Sequence, residues 1–261
     1  MSTSPLLVHP DPNGRVVVTP ESAGWGYVGF EVVHPNGSRV ERDTSDRECC
    51  VVAIAGTCTV DSAHGRWEIG GRPDPWAGAP DAAYLPPGTT FSVDGEAEIG
   101  LCFAPSSSGG ATARVLPGNE IEPELRGHGN HERTVHPILM ADREADSLLV
   151  CEVLTPAGHW SSYPPHKHDR DALPEESFLE ETYYHRLNPE RGFALQRVYT
   201  DDHDLDETVA VGNGDTVLVP RGYHTVSAPP GYDLYYLNVM AGPTRVWAIQ
   251  NDPNHEWMLQ P

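Results

Sequence analysis

Three histidines and a carboxylate stand where they could share one ion. His166 and His168 flank Lys167 in the run YPPHKHD. Side chains alternate along an extended chain, so both imidazoles leave one face and Lys167 leaves the other. A third histidine, His224, follows a Pro-Arg-Gly turn in VPRGYHTVS. A proline just before His166 and a glycine shortly before His224 put both groups at strand entries, where the backbone is stiff enough to hold ligands. Nitrogen and oxygen donors suit zinc, manganese, iron, cobalt or nickel, and donor identity alone does not choose among them.

The carboxylate is harder to place. With the spacing usual in β-barrel metal motifs it would fall on Ala172 or Leu173, and neither can bind a metal. The insertion DRDALPEESF moves the choice downstream to Glu175, Glu176, Glu180 or Glu181. In LEETYYHR, Glu181, Tyr183 and His185 share one strand face, and Glu180, Thr182 and Tyr184 share the other. Glu181 is preferred, because a histidine and a tyrosine beside it suit a polar cavity; Glu180 is the alternative.

Strands must carry these groups. RVVVTP, GWGYVGFEVV, ECCVVAIAGTCTV, AAYLPPGTTFSV and AEIGLCFAP in the first half, and DSLLVCEVLTPAG, GFALQRVYT, ETVAVGNGDTVLVP and YDLYYLNVMAG in the second, are rich in β-branched and aromatic residues and bounded by turn formers. HPNGSR reads as a hairpin turn. The stretch from Ser106 to Pro137 is polar, glycine-rich and aperiodic, so it reads as a connector whose His128, His131 and His136 are solvated. The short runs PEESFLEE and DPNHEWM are the only candidate helical turns. AYLPPGTTFSV and LVPRGYHTVS share a strand, a Pro-x-Gly turn and a second strand, which suggests two copies of one fold. Matching Pro86 to Pro220 sets Thr90 opposite His224, so the first copy lacks the metal histidine.

Composition removes several function classes. A net charge of -21 over 261 residues argues against nucleic-acid binding, which needs a basic surface. No apolar run is long enough to span a membrane, and the N-terminus lacks the pattern of a secretory signal. Five cysteines, an odd number without a CxxC pair, read as buried thiols of a cytoplasmic protein.

HKHD, EETYYHR and VPRGYHTVSAPPGYDLYYLNVMAGP occur together, and in this combination the chain resembles the 5-deoxy-glucuronate isomerase family of inositol catabolism, itself related to the 4-deoxy-L-threo-5-hexosulose-uronate ketol-isomerases. The resemblance covers the C-terminal half well and the N-terminal half in length and style. It implies an all-β bicupin of two jelly-roll β-barrels: a degenerate domain without metal over 1–125 and a metal-binding domain over 126–261. It implies His166, His168, Glu181 and His224 as ligands of a divalent metal, zinc first, with manganese or iron as alternatives. The implied reaction converts 5-deoxy-D-glucuronate to 5-dehydro-2-deoxy-D-gluconate, a proton moving between C1 and C2 while a Lewis acid steadies the enediolate. Glu175, Tyr183 and His185, with Glu176, are the candidates for the base. Arg197 and Arg221 are the candidates for holding the substrate carboxylate. Isomerisation of another uronate, a metal-dependent oxygenase, and a non-catalytic sugar-binding cupin are the competing readings. The expected partner is a small sugar acid, with no nucleic acid and no membrane, and exposed sheet edges favour a homo-oligomer.

Overall fold

A computed structural model describes residues 4–106 and 111–259. Nearly all of the regular secondary structure is strand, and the chain divides into two compact units. One unit comprises Pro10–Pro123 and His136–Cys151, and the other Met1–His9, Glu124–Val135 and Glu152–Pro261.

The unit that holds most of the N-terminal half is built on two 16-residue strands, Arg47–Ser62 and Thr90–Pro105, paired antiparallel from Arg47↔Pro105 to Ser62↔Phe91. Their β-branched and apolar residues feed a cluster that includes Val51, Val60, Ile69, Leu85, Phe91, Val93, Ile99 and Leu101. This interior is packed with hydrocarbon. Thr90, the residue matched to His224, is exposed and donates its hydroxyl to Asp43 at 2.5 Å. Cys49, Cys50, Cys58, Cys102 and Cys151 are buried and form no disulfide.

The turn at Asn36-Gly37 forms as expected, with both residues in the left-handed region (φ 49° and 74°). Its flanking strands do not pair with each other. Gly29–Val33 and Val40–Asp43 instead add to different parts of Thr90–Pro105, which is long enough to accept both. The expected connector also carries structure: Arg114–Leu116 pairs with Ala82–Leu85, and Glu124–Arg126 pairs with the start of Arg133–Leu139. His131 and His136 are buried, not solvated, because that segment lies in ordered structure. PEESFLEE is not helical; Glu176–Phe178 closes a hairpin on Asp169–Ala172, and Glu180 opens the next strand. The second candidate contains a 3-10 turn, Glu256–Leu259, and one unexpected helical turn, Pro20–Ala23, is held by a Thr19–Ser22 capping box.

In the C-terminal unit, Leu7–Val8, Thr216–Val219, Glu180–Asn188 and Asp233–Ala241 lie side by side in one sheet. A second sheet runs Asp206–Val211, Ala194–Tyr199, Tyr223–Ser227, Trp160–Lys167 and Gln250–Asn251. Unlike the apolar cluster of the first unit, the residues buried here include His166, His168, Glu181, His185, Gln196, His224 and Asn238. No helix among the described residues is long and apolar enough to cross a membrane.

A candidate metal centre in the C-terminal unit

The strands Trp160–Lys167 and Tyr223–Ser227 place His166 directly opposite His224. His168 follows one alternation later, and the strand Glu180–Asn188 supplies Glu181. All four side chains are buried. One ligand nitrogen from each of His166, His168 and His224 lies within 4.8 Å of the others. Lys167 points away, as alternation requires: its ammonium pairs with Asp201, lies 3.8 Å from Asp169 and sits over the Tyr223 ring.

Local sequence explains the position of His224. Gly222 adopts φ 88°, and a Cβ there would come within 2.5 Å of the Tyr199 carbonyl oxygen. Only glycine fits that turn. Its N–H donates to Asp169, and its carbonyl accepts from His224 Nδ1 at 3.1 Å. The HKHD segment and the PRG turn are therefore tied together beside the histidines they carry.

Hydrogen bonds fix the imidazole tautomers. His168 Nδ1 donates to the Leu179 carbonyl at 3.0 Å, as His224 Nδ1 does to Gly222. A carbonyl can only accept, so each neutral ring turns an Nε2 lone pair inward. Both lone pairs meet Glu181 Oε2, at 3.1 Å from His168 and 3.2 Å from His224. Acceptors facing one another at that range repel unless a proton or a cation lies among them. His224 Nε2 is buried and makes no hydrogen bond. A divalent cation would satisfy all of these atoms together, and the donor set of three imidazoles and a carboxylate fits one.

Burial would lower the His168 imidazole, but the Glu181 carboxylate beside it outweighs burial and raises it, as befits a nitrogen that needs a proton or cation between itself and that oxygen. Burial pushes the His166 imidazole well below its usual value, and His224 and His168 press it further in the same direction. Burial alone would raise the Glu181 carboxyl, but the His168 and His224 imidazoles outweigh it and hold the group at about 2. A neutral His166 and an anionic Glu181 are the forms a metal needs.

A polar wall continues from the cluster. The Tyr183 ring lies 5.8 Å from His224, 4.9 Å from Tyr236 and 6.0 Å from His185, against which it stacks. Its hydroxyl bonds Ser162 at 3.0 Å, and the Tyr236 hydroxyl bonds Ser161 at 2.7 Å. His185 Nε2 meets Gln196 Oε1 at 2.9 Å, while its Nδ1 is buried without a partner. Burial, only partly offset by that bond, pushes the His185 imidazole down to about 4.

Other candidates lie elsewhere. Glu175 is exposed in the turn of the inserted hairpin. Glu176 is buried but occupied, accepting from Asp169 N–H and Arg170 Nε. Arg197 is bound through two 2.8 Å contacts to Asp206, and Arg221 through contacts of 3.0 and 2.8 Å to Asp204. Arg221 is exposed and Arg197 is half-buried. Alternation gives the reason for Arg197: Gln196 faces inward to His185, so its neighbour faces out. Sequence reasoning did not single out Gln196 or Tyr236. Tyr236 was legible in part, since it stands directly across from His185 on the adjacent strand.

A profile of the KduI/IolB family matches residues 6–258. The chain belongs to the KduI/IolB family. Among its KduI/IolB relatives, the 5-deoxy-glucuronate isomerase of Geobacillus thermodenitrificans (strain NG80-2) is 53% identical over 257 residues, covering 96% of this chain and 93% of that protein. The 5-deoxy-glucuronate isomerase of Bacillus subtilis (strain 168) is 47% identical over 249 residues, covering 93% and 92%. The crystal structure of an IolB-like protein from Salmonella typhimurium LT2 superimposes with a TM-score of 0.95 at 44% identity, covering 98% and 99% of the two chains. Oxalate decarboxylase from Lactobacillus farciminis matches with a TM-score of 0.66 at 14% identity, covering 100% of this chain and 92% of that one, a likeness of fold alone. This KduI/IolB member is an all-β bicupin.

Proposed function

We propose that the protein is a 5-deoxy-glucuronate isomerase, interconverting the aldose 5-deoxy-D-glucuronate and the ketose 5-dehydro-2-deoxy-D-gluconate in inositol catabolism. Relatives of that name, about half identical over nearly the whole chain, support the substrate. The observation that carries the site is Glu181 Oε2 facing two imidazole nitrogens whose tautomers are locked from behind.

His166, His168, Glu181 and His224 would hold a divalent metal, for which zinc is our first choice and manganese or iron the alternatives. A metal there supplies Lewis acidity toward a carbonyl and its neighbouring hydroxyl. The protein's own contribution is position and proton handling. Tyr183, stacked on His185 and bonded to Ser162, is the group we assign to proton exchange with the substrate. His185 steadies the Tyr183 ring, itself aligned by Gln196. The 126–261 segment is the working copy, and 1–125 the degenerate one whose interior is filled with apolar side chains. Five buried thiols suit a reducing cytoplasm.

The test is an NMR assay of 5-deoxy-D-glucuronate in deuterated water with wild type and His166→Ala. Ketose product carrying solvent deuterium from wild type alone is the expected result. A wild-type protein that binds metal and uronate but exchanges no carbon-bound hydrogen would sink the isomerase reading in favour of a sugar-binding cupin.

A further inference from the structure

Near the inserted hairpin and the 201–206 loop, Arg170 holds Glu176, Arg197 holds Asp206 and Arg221 holds Asp204. Arg133 differs. It opens the strand Arg133–Leu139 and donates through Nη1 to two backbone carbonyls, of His131 at 3.1 Å and Tyr163 at 3.4 Å. No carboxylate among the described residues lies at ion-pair distance from it. The chain carries 38 acidic residues against 17 basic ones, so the missing partner is not for want of anions.

The neighbourhood makes this arrangement costly. Arg126 is registered directly opposite Arg133 on the adjacent strand, a like charge where an opposite one would stabilise. Arg126 has its own outlet, Glu124 at 2.6 Å and the Trp247 ring beneath it, and leaves Arg133 uncompensated. Burial pushes the Arg133 pKa down, and the guanidinium lies within electrostatic range of the Tyr236 and Tyr183 phenols and of His166. The carbonyl it grips belongs to Tyr163, three residues before the ligand His166 on the same strand. A partly desolvated cation with free donors, hydrogen-bonded to the strand that carries His166, is built to receive an anion from outside.

We infer that Arg133, and neither Arg197 nor Arg221, binds the carboxylate of the sugar acid and so sets the preference for uronates over neutral aldoses. This rests on the isomerase reading for the identity of the substrate. Arg133 is thereby a specificity residue at the far end of the substrate from the metal. With Nη1 spent on carbonyls, Nε and Nη2 remain as donors to the carboxylate.

The test compares metal-loaded wild type, R133Q and R133K on 5-deoxy-D-glucuronate and on its neutral counterpart 5-deoxy-D-glucose. R133Q retains an amide donor for the carbonyls, and thermal melts check that it folds. We expect its KM for the uronate to rise on the order of 100-fold, as truncating one partner of a desolvated charge pair does. Turnover of the neutral sugar stays at the wild-type level, and R133K recovers part of the loss. Equal losses on both substrates would mean a structural role and overturn the assignment, as would no loss on either. Calorimetric titration of the uronate decides Arg133 even if no turnover is found, in which case only the isomerase reading fails. Weaker binding to R133Q than to wild type supports the inference, and equal binding overturns it.

Discussion

His166 and His224 face each other as a registered pair on adjacent antiparallel strands, their ring centroids 4.6 Å apart. Cross-strand registration fixes the distance between two ligands without either relying on a flexible loop. The third strand, Glu180–Asn188, belongs to the other sheet and brings Glu181 across the interior to meet His224 and His168. The site is thus held by sheet geometry from two sides.

Glu181 should be decisive for metal retention. Groups that merely orient a ligand cost about 10- to 100-fold in affinity when removed, so loss of the carboxylate itself should cost on the order of 100-fold or more. Metal content after dialysis, with circular dichroism as the folding control, measures this for Glu181→Gln. Glu180→Gln, on the opposite strand face, should keep its metal. The reverse pattern would transfer the ligand role to Glu180.

Gly222 and Gly88 occupy matched positions in the two Pro-x-Gly turns, yet they should respond differently to alanine. At Gly88 (φ 73°) a Cβ meets open space, so only the left-handed backbone is penalised, by about 1 kcal/mol. At Gly222 the same penalty is joined by the collision with the Tyr199 carbonyl, and the loss should be at least about 2 kcal/mol. Denaturant melts of Gly88→Ala and Gly222→Ala rank the two. Gly222→Ala should also weaken metal binding, because His224 hangs from that turn. Equal melts would contradict the argument.

That His166, His168 and Glu181 share inward faces was legible because strand alternation is local: once YPPHKHD and EETYYHR are extended, their faces follow. The pairing of Arg197 and Arg221 was not legible, because an arginine's partner depends on what folds over it. Here the acidic run Asp201–Asp206 turns back and claims both. Arg133 was out of reach for a different reason. It lies in a segment with neither helical nor strand period, and its significance comes from the carboxylate it lacks, which no sequence pattern records. Asn36-Gly37 was read correctly as a turn and wrongly as a hairpin, since strand pairing was decided by the distant Thr90–Pro105.

Removing the metal should lower the melting temperature, and its return should restore it. A ligand present at about 100 times its dissociation constant stabilises the native state by about 2.7 kcal/mol. Chelation followed by addition of zinc, manganese or iron(II) measures each metal's increment, and Glu181→Gln should reduce all of them. A protein whose melt ignores both chelator and metal would refute the ligand assignment.

His185 should make stability depend on pH in the mildly acidic range. Its imidazole is held at about 4 in the folded chain, mainly by burial, against about 6.5 when unfolded. Between those values the unfolded state binds more protons, so stability rises with pH across that window and is fully present above about 6.5. On falling to about pH 4, the group's contribution of about 3 kcal/mol is lost. Urea midpoints of metal-free wild type and His185→Gln at pH 7.5, 5.5 and 4.5 test this. The variant will be less stable at neutral pH, but its decline toward pH 4.5 should be shallower, because one buried imidazole no longer has to take up a proton. Parallel declines would show that His185 is protonated as readily in the folded chain as in the unfolded one.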